Sequence, residues 1–282
     1  RGAAGADARD ELGLRLRDRL DAAELAEVRG AHDEHGRDVG RMLVGSEGTL
    51  AVVTRARVRL VTDPPATCLV ALGFEDIYAA GDVAPALGRL GAVAAEGIDR
   101  RVVDVVRERR GPDHVPDLPK GAAWLFVEVT GESPAEALMH AQRIVAEVPA
   151  LDARVVTDPA EARSLWRIRE DGAGLAGRSQ RDRPAHAGWE DAAVPPERLG
   201  DYLRAFDDLL EEHDVQGLPY GHFADGCLHV RLDVDLASPG AAERYRSLVE
   251  AAADLVAAHV LAATGEQVRG LGVAVVAQRH DE

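Results

Sequence analysis

Strand-like and helix-like segments alternate along most of this chain, and that order restricts the folds available to it. Short β-rich apolar runs predict strands, and runs with apolar residues every three or four positions predict helices between them. The predicted strands are 67–74, 121–131, 153–156 and 186–194, and the predicted helices are 75–90, 134–147, 159–176, 196–213 and a last one from Ser238-Pro239. A hairpin precedes the last helix. This mixed order favours an α+β fold, a sheet covered by helices, over a purely parallel one.

The clearest linker signal is "TDPP" at residues 62–65. Consecutive prolines interrupt both helices and central strands, so the sequence predicts a domain boundary there. Before the linker, "MLVGSEGTLAVVTRARVRLV" (42–61) combines a glycine-bearing turn with a strand. We therefore divide the chain into residues 1–61 and residues 62–282.

The stretch "YGHFADGCLHVRLDVDL" (220–236) predicts a β-hairpin around Asp225-Gly226, because Asp-Gly is a preferred two-residue turn. With that turn, position 222 pairs with position 229, and His222 and His229 share one face with Cβ atoms roughly 5 Å apart. Two imidazoles so placed suit one metal ion, which needs a third ligand. An exposed pair of edge histidines would give the same pattern. Glu266, in "TGEQ", is a candidate third ligand, although a glutamate in a polar loop is more often solvated.

A charged residue lies on the apolar face of a predicted helix in "SLWRIREDGAGLAG" (164–177). At 100° per residue, Arg169 lies about 40° from Leu165, inside the apolar sector, whereas Arg167 should face solvent. A guanidinium in that position needs an anionic partner. The partner is either a structural carboxylate of the protein or the carboxylate of a ligand.

Composition excludes several classes of function. The net charge is -16, from 49 acidic and 33 basic residues, and such a surface repels a phosphate backbone, which argues against nucleic acid as a partner. The 2 cysteines make neither a disulfide framework nor a cysteine-rich metal site. No apolar run reaches the roughly 18 residues of a membrane span, and residues 1–40 do not resemble a signal peptide. We therefore expect a cytoplasmic protein without a transmembrane segment.

Three stretches in chain order carry a family resemblance: "VGSEGTLAVVTRARVRL" (44–60), "LWRIREDGAGLAG" (165–177) with "GWEDAAVP" (188–195), and "GHFADGCLHVRLD" (221–233) with "TGEQ" after it. Together they resemble FAD-linked oxidases of the vanillyl-alcohol oxidase superfamily, and within it the D-lactate, glycolate and D-2-hydroxyglutarate dehydrogenases. The resemblance implies that residues 1–61 are the C-terminal piece of a PCMH-type FAD-binding domain. It implies that residues 62–282 form a ferredoxin-like cap domain, incomplete at its C-terminus.

The resemblance also assigns site residues. On its own, the glycine turn is better explained as a tight turn before a strand. By resemblance, it contacts FAD through Gly45, Ser46, Glu47, Gly48, Thr49 and the following Val53. The same resemblance implies that His222, His229 and Glu266 hold a divalent zinc, iron or manganese ion, and that Arg169 binds the substrate carboxylate.

The implied reaction is oxidation of a 2-hydroxy acid to the 2-oxo acid, with hydride transfer to the flavin. Electrons would pass to a quinone, a cytochrome or an electron-transfer protein, and some relatives carry a fused iron–sulfur domain. The chain departs from the family at Gln267, which occupies the position of the presumed catalytic histidine, so the general base is unassigned. Ala224 replaces a glycine in the hairpin, and residues 268–282 match no part of the family's C-terminal end.

By the same resemblance, we expect residues 1–282 to lack the N-terminal half of the family's FAD-binding domain. We therefore expect this polypeptide to bind FAD poorly or not at all by itself. A non-catalytic metal- or carboxylate-binding module derived from the cap is the alternative function, and a zinc hydrolase built on His222, His229 and Glu266 is a third.

Overall fold

The computed structural model describes residues 62–264, together with Leu43, Thr49, Leu50 and Val52. Residues 62–264 all belong to one compact unit, which begins at Val61. Several predicted site residues lie outside the described residues, namely Gly45, Ser46, Glu47, Gly48, Val53, Glu266 and Gln267. Thr49 is exposed in a bend. The limits 1–61 and 62–282 remain predictions.

Within residues 62–264 the chain forms one sheet and seven α-helices. The strands are β1 (Ala66–Phe74), β2 (Ala92–Asp99), β3 (Ala123–Gly131), β4 (Asp152–Val156), β5 (His186–Ala193), β6 (Gly217–His222) and β7 (Cys227–Leu232). The helices are α1 (Ile77–Asp82), α2 (Ala84–Arg89), α3 (Arg100–Arg110), α4 (Pro134–Glu147), α5 (Pro159–Leu175), α6 (Leu199–Glu212) and α7 (Ala241–Thr264).

The seven strands described follow the order β4-β1-β3-β2-β6-β7-β5, and every neighbouring pair is antiparallel. The order β4-β1-β3-β2 places β3 between the parallel strands β1 and β2, and β1 between β3 and β4. These are the two interlocked split βαβ units of a ferredoxin-like fold. The predicted α+β class and ferredoxin-like cap are thus confirmed. Strands β6, β7 and β5 extend the sheet beyond β2.

Local sequence signals explain where the helices begin. The Ser133 hydroxyl accepts a hydrogen bond from the Glu136 amide at 3.2 Å, with Pro134 as the first helical residue of α4. The Asp158 carboxylate caps α5 in the same way, accepting from the Glu161 amide at 2.9 Å. Both predicted starts are therefore confirmed, since these side chains satisfy amides that the helix itself cannot.

Each face of the sheet carries its own apolar core. On one face, Val70, Leu125 and Val230 belong to a cluster that includes residues from α1, α2, α4, α6 and α7. On the other, Phe126 and Tyr220 pack with Val102 of α3 and Leu165 of α5. Because strand residues alternate between faces, Cys227, His229 and Arg231 lie on the α3 and α5 side, opposite the buried Leu228, Val230 and Leu232.

Two elements went unpredicted. Strand β2 and helix α3 occupy residues 92–110, for which the sequence pattern predicted nothing. The sequence "AVAAEGID" of β2 is rich in alanine and contains a single β-branched residue before its final Ile-Asp. Its intrinsic β propensity is therefore too low to predict a strand. The last helix also begins at Ala241, after a turn at Gly240 with φ of 74°, and not at Ser238-Pro239.

The predicted hairpin register is wrong by two residues. His222 pairs with Cys227, and His229 pairs with Tyr220, so the two histidines are not directly opposite. The loop has four residues, because Phe223–Asp225 form a 3-10 turn and only Gly226 has a positive φ, of 69°. A two-residue type I′ turn needs a positive φ at both central positions. A shift of two leaves both histidines on the same face.

The interior of the domain explains the longer loop. Phe223 is fully buried, and the Gly226 carbonyl accepts a 3.0 Å hydrogen bond from the Val194 amide. Both contacts hold the loop against neighbouring segments, and they favour a four-residue loop over a two-residue turn. No helix within the described part of the chain is long and apolar enough to span a bilayer.

Candidate active site

Two histidines face the α3 and α5 side at the closed end of the β6–β7 hairpin. Their ring centroids are 5.2 Å apart, with ring planes at 83°. His229 is paired with Tyr220, so His222 is its diagonal neighbour across the hairpin. The predicted proximity of the two rings therefore holds although the predicted pairing does not. His222 is half-exposed, whereas the His229 side chain is 12% exposed.

Glu96 connects His222 to a helix. It lies in β2, directly opposite His222 in the β2–β6 pairing. One carboxylate oxygen contacts Nδ1 of His222, and the other accepts a 2.9 Å hydrogen bond from Nε of Arg169. Glu96 is only 7% exposed. A nearly buried carboxylate with a cation on one oxygen and an imidazole on the other fixes the orientation of both partners.

Arg169 reaches this face from α5. Its side chain is 23% exposed, and its guanidinium carbon lies 5.5 Å from the centre of the Tyr220 ring. Arg167, two residues earlier, is exposed as predicted. Of the two anionic partners considered for Arg169, the structural one is present, and it is Glu96. Glu96 accepts its hydrogen bond from Nε of Arg169. Within residues 62–264, no second carboxylate pairs with the two terminal nitrogens of Arg169.

A bulge in β5 brings two acidic residues to His229. The β5–β7 register shifts between Trp189 and Ala192, so Glu190 and Asp191 are inserted opposite one position of β7. Nδ1 of His229 lies 3.1 Å from Oε2 of Glu190 and 3.7 Å from Oδ1 of Asp191. Asp191 has a φ of 54°, a left-handed conformation that is uncommon outside glycine and is found at functional sites.

Cys227 completes this group of side chains. Its Sγ lies 3.8 Å from Oδ1 of Asp191, and donor atoms of Asp191, Cys227 and His229 all lie within 4.8 Å of one another. Burial, and then the negative charge of Asp191, raise the pKa of the Cys227 thiol to about 11. Burial also raises the pKa of the Tyr220 phenol, with Glu190 contributing in the same direction. This face therefore holds a neutral thiol and a neutral phenol at neutral pH.

The structure brings together three of the residues predicted from the sequence, namely Arg169, His222 and His229. Glu96, Glu190, Asp191 and Cys227 were missed as site residues. One signal for Glu96 was available: it is an acidic residue in an otherwise apolar run, "AVAAEG". Glu190 and Asp191 stood within "GWEDAAVP", but nothing in the sequence indicates that a bulge turns both toward His229.

The fold and this face define an α+β domain with a connected series of arginine, glutamate and histidine side chains. Its family follows from comparison. Residues 63–266 match the family "FAD linked oxidases, C-terminal domain". This chain belongs to that family, as the resemblance indicated.

Curated relatives agree with this assignment. The chain is 30% identical over 220 residues to a D-2-hydroxyglutarate dehydrogenase of Escherichia coli, covering 72% of this chain and 21% of that protein. It is 29% identical over 189 residues to a D-lactate dehydrogenase of Archaeoglobus fulgidus, covering 67% and 40%. It is 27% identical over 219 residues to the glycolate oxidase subunit GlcD of Bacillus subtilis, covering 76% and 45%. The chain therefore spans less than half the length of each of these relatives.

Proposed function

We propose that this chain carries the substrate-binding domain of an FAD-dependent dehydrogenase that oxidises a 2-hydroxy acid to the 2-oxo acid. The observation that supports the proposal is the series of side-chain contacts from Arg169 through Glu96 to His222. It joins a carboxylate-binding group and a hydroxyl-binding group at one face. The names of the three relatives, each acting on D-2-hydroxyglutarate, D-lactate or glycolate, support the same substrate class.

Arg169 is the group proposed to bind the substrate carboxylate. With Nε held by Glu96 at 2.9 Å, its two terminal nitrogens are left to form a bidentate pair with a carboxylate. The partly buried position excludes some water and strengthens that pair over one on the open surface. Glu96 also balances part of the charge of Arg169, so the site holds the guanidinium even without ligand.

The two histidines are proposed to act on the substrate hydroxyl with a divalent zinc, iron or manganese ion, Glu266 supplying a further ligand. One observation in the domain fits a metal here. Nδ1 of His222 contacts the Glu96 carboxylate, and a metal-binding histidine usually donates its other nitrogen to such a carboxylate. Nε2 of His222 then carries a lone pair, which can bind a metal ion or accept the hydroxyl proton.

FAD, when bound, supplies the acceptor for the hydride that leaves C2 of the substrate. Its proposed contacts are Gly45, Ser46, Glu47, Gly48, Thr49 and Val53. The work of the described residues is positional: Arg169 fixes the carboxylate, and the histidine pair fixes the hydroxyl. Holding both ends of a small 2-hydroxy acid leaves C2 in one orientation, which lowers the entropic part of the barrier. Gln267 cannot serve as base near neutral pH.

The electron acceptor is proposed to be a quinone, a cytochrome or an electron-transfer protein, with a fused iron–sulfur domain as a further candidate. The proposed location is the cytoplasm.

The test has two arms, and only one depends on FAD. In the first, calorimetry measures binding of D-2-hydroxyglutarate, D-lactate and glycolate to the purified chain, to Arg169→Lys and to the exposed control Arg167→Lys. We expect measurable binding of at least one acid that is weakened only in Arg169→Lys. In the second, the chain is supplemented with excess FAD and an artificial dye acceptor, and any reduction of the dye should require both FAD and the acid. Equal binding in all three proteins, or none to any, would overturn the proposal.

A further inference from the structure

The geometry points to a thiolate-containing metal site in this chain, built from Cys227, Asp191 and His229 on the hairpin and the β5 bulge. The inference depends on the proposed function only for the presence of a metal at this face. It takes His229 from the histidine pair and adds two ligands, a cysteine and an aspartate. It also names the class of ion, a zinc-like cation and not magnesium or calcium.

Distances are the first support. Zinc bonds of about 2.0–2.3 Å to oxygen, nitrogen and sulfur place tetrahedral ligand atoms about 3.3–3.6 Å apart. Oδ1 of Asp191 lies 3.7 Å from Nδ1 of His229 and 3.8 Å from Sγ of Cys227. These two spacings are within a few tenths of an ångström of the tetrahedral values, and donor atoms of all three residues lie within 4.8 Å of one another. A shift of that size is within reach of rotation about exposed Asp191.

The backbone placement of the three residues is the second support. Cys227 and His229 are two positions apart on β7, so their side chains point to the same face. The bulge in β5 turns Asp191 toward them from the neighbouring strand. The ligands thus come from two adjacent strands of one sheet, a rigid support for a metal site.

Charge and chemistry select the ion. Nδ1 of His229 lies 3.1 Å from Oε2 of Glu190 and accepts a 3.4 Å hydrogen bond from the Asp191 amide. A bound ion at that nitrogen must replace the amide contact, and it must separate Glu190 from His229 or take Glu190 as a neighbour. Cys227 would release its proton to solvent on binding, as coordinating thiols do. A thiolate, an imidazole and a carboxylate together favour Zn²⁺ over the oxygen-preferring Mg²⁺ and Ca²⁺. Three protein ligands leave the fourth position open, as in catalytic zinc sites, with the His222 ring 5.2 Å from that of His229.

Cobalt(II) is the probe, because it replaces zinc and a bound thiolate gives it a near-ultraviolet charge-transfer band. We would titrate CoCl₂ anaerobically into the metal-free chain, into Cys227→Ser and Asp191→Asn, and into Cys68→Ala. Cys68 is the matched control, since it is the other cysteine of the chain and is buried in β1. The expected result is a thiolate band in wild type and Cys68→Ala that is absent from Cys227→Ser.

Affinity gives a second readout. Competition with a zinc indicator should show that Cys227→Ser and Asp191→Asn bind zinc at least roughly 10-fold more weakly than wild type. Loss of an outer-shell partner alone costs roughly 10- to 100-fold in metal affinity, and loss of a direct ligand should cost no less. Circular dichroism checks that each variant is folded. If a variant fails to fold, zinc protection of the wild-type Cys227 thiol against alkylation replaces it, and unprotected alkylation at saturating zinc contradicts the site.

The outcomes separate this inference from the proposed function. Cobalt that binds without a thiolate band, and is lost in His222→Ala, would overturn the cysteine site and leave the histidine metal site standing. A chain that binds neither cobalt nor zinc would overturn both metal assignments, while carboxylate binding at Arg169 would still be decided by calorimetry.

Discussion

Arg169 of α5 and Glu96 of β2 are 73 residues apart in the chain, yet Nε of the first donates a 2.9 Å hydrogen bond to Oε2 of the second. The same carboxylate contacts His222 through its other oxygen. A single buried side chain thus sets the position of two groups proposed to hold opposite ends of one small substrate.

Glu96→Gln should lower the free energy of unfolding by about 1–3 kcal/mol, since a charged hydrogen bond is lost at a nearly buried site. It should also weaken binding of a 2-hydroxy acid, because Arg169 is no longer held. Denaturant unfolding and calorimetry measure the two effects. The control is Asp104→Asn, which removes a surface pair with Arg107 and should change stability by less than about 1 kcal/mol. A Glu96→Gln protein that matches wild type in both measurements contradicts this role.

Arg169→Lys should reduce 2-hydroxy-acid affinity about tenfold or more while leaving the fold intact. Lysine keeps the charge but cannot use one nitrogen for Glu96 and two for a carboxylate. Arg167→Lys, on the exposed side of the same helix, should bind as wild type does. Binding isotherms for a 2-hydroxy acid and for the matching 2-oxo acid check this, and equal losses in the two variants would show a general effect of charge.

Gly97→Ala should destabilise the domain by about 1–3 kcal/mol, the usual cost of overfilling a packed core. A Cβ at Gly97 would overlap the ring of Phe223, which is fully buried at the start of the hairpin loop. Gly88→Ala is the matched control, because a Cβ there meets nothing within 4 Å in the exposed last turn of α2. It should be neutral or stabilising by up to about 1 kcal/mol. Thermal unfolding of both variants measures the effect. Equal melting temperatures for the two variants would argue against tight packing between Gly97 and Phe223.

In metal-free protein, alkylation of Cys227 should rise with a midpoint near pH 11, above the ordinary value of 9.0 for a thiol. The sign follows from the causes: burial and the Asp191 charge both disfavour the thiolate, so the proton is held to higher pH. Iodoacetamide rates between pH 8 and pH 11.5, in a Cys68→Ala background with EDTA, measure the midpoint. Asp191→Asn should move it downward, though not fully, because burial is the larger cause. A wild-type midpoint at or below 9 would show that Cys227 is more exposed than described.

The sequence predicted the fold where local signals were strong. Helix starts at Ser133 and Asp158 followed from capping chemistry, and the inward position of Arg169 followed from helical periodicity. Strand β2 was missed because its alanine-rich sequence has little intrinsic β preference and gains its stability from its neighbours on both sides.

The candidate site was less predictable than the fold for the same reason. Glu96 lies in the missed strand, so its contact with His222, 126 residues away, could not be anticipated. The hairpin register depends on the burial of Phe223 and on the hydrogen bond between Gly226 and Val194. Both are tertiary contacts, which the local sequence does not specify. Asp191 reaches His229 only through a bulge and a left-handed backbone, which turn chemistry in the sequence does not specify.

Strands β2 and β6 meet through only three residue pairs, Glu96 with His222, Gly97 with Gly221 and Ile98 with Tyr220. This short junction joins the ferredoxin-like half of the sheet to its three-strand extension, and the candidate site straddles it. Closing it requires the chain to bring together segments more than a hundred residues apart, a slow and entropically costly step in folding. Neither half contains the whole site: a peptide of the hairpin would keep His222 and His229 without Glu96, and the ferredoxin-like half would keep Glu96 without the two histidines. Ligand affinity can therefore serve as a gauge of whether the two halves of the sheet have joined.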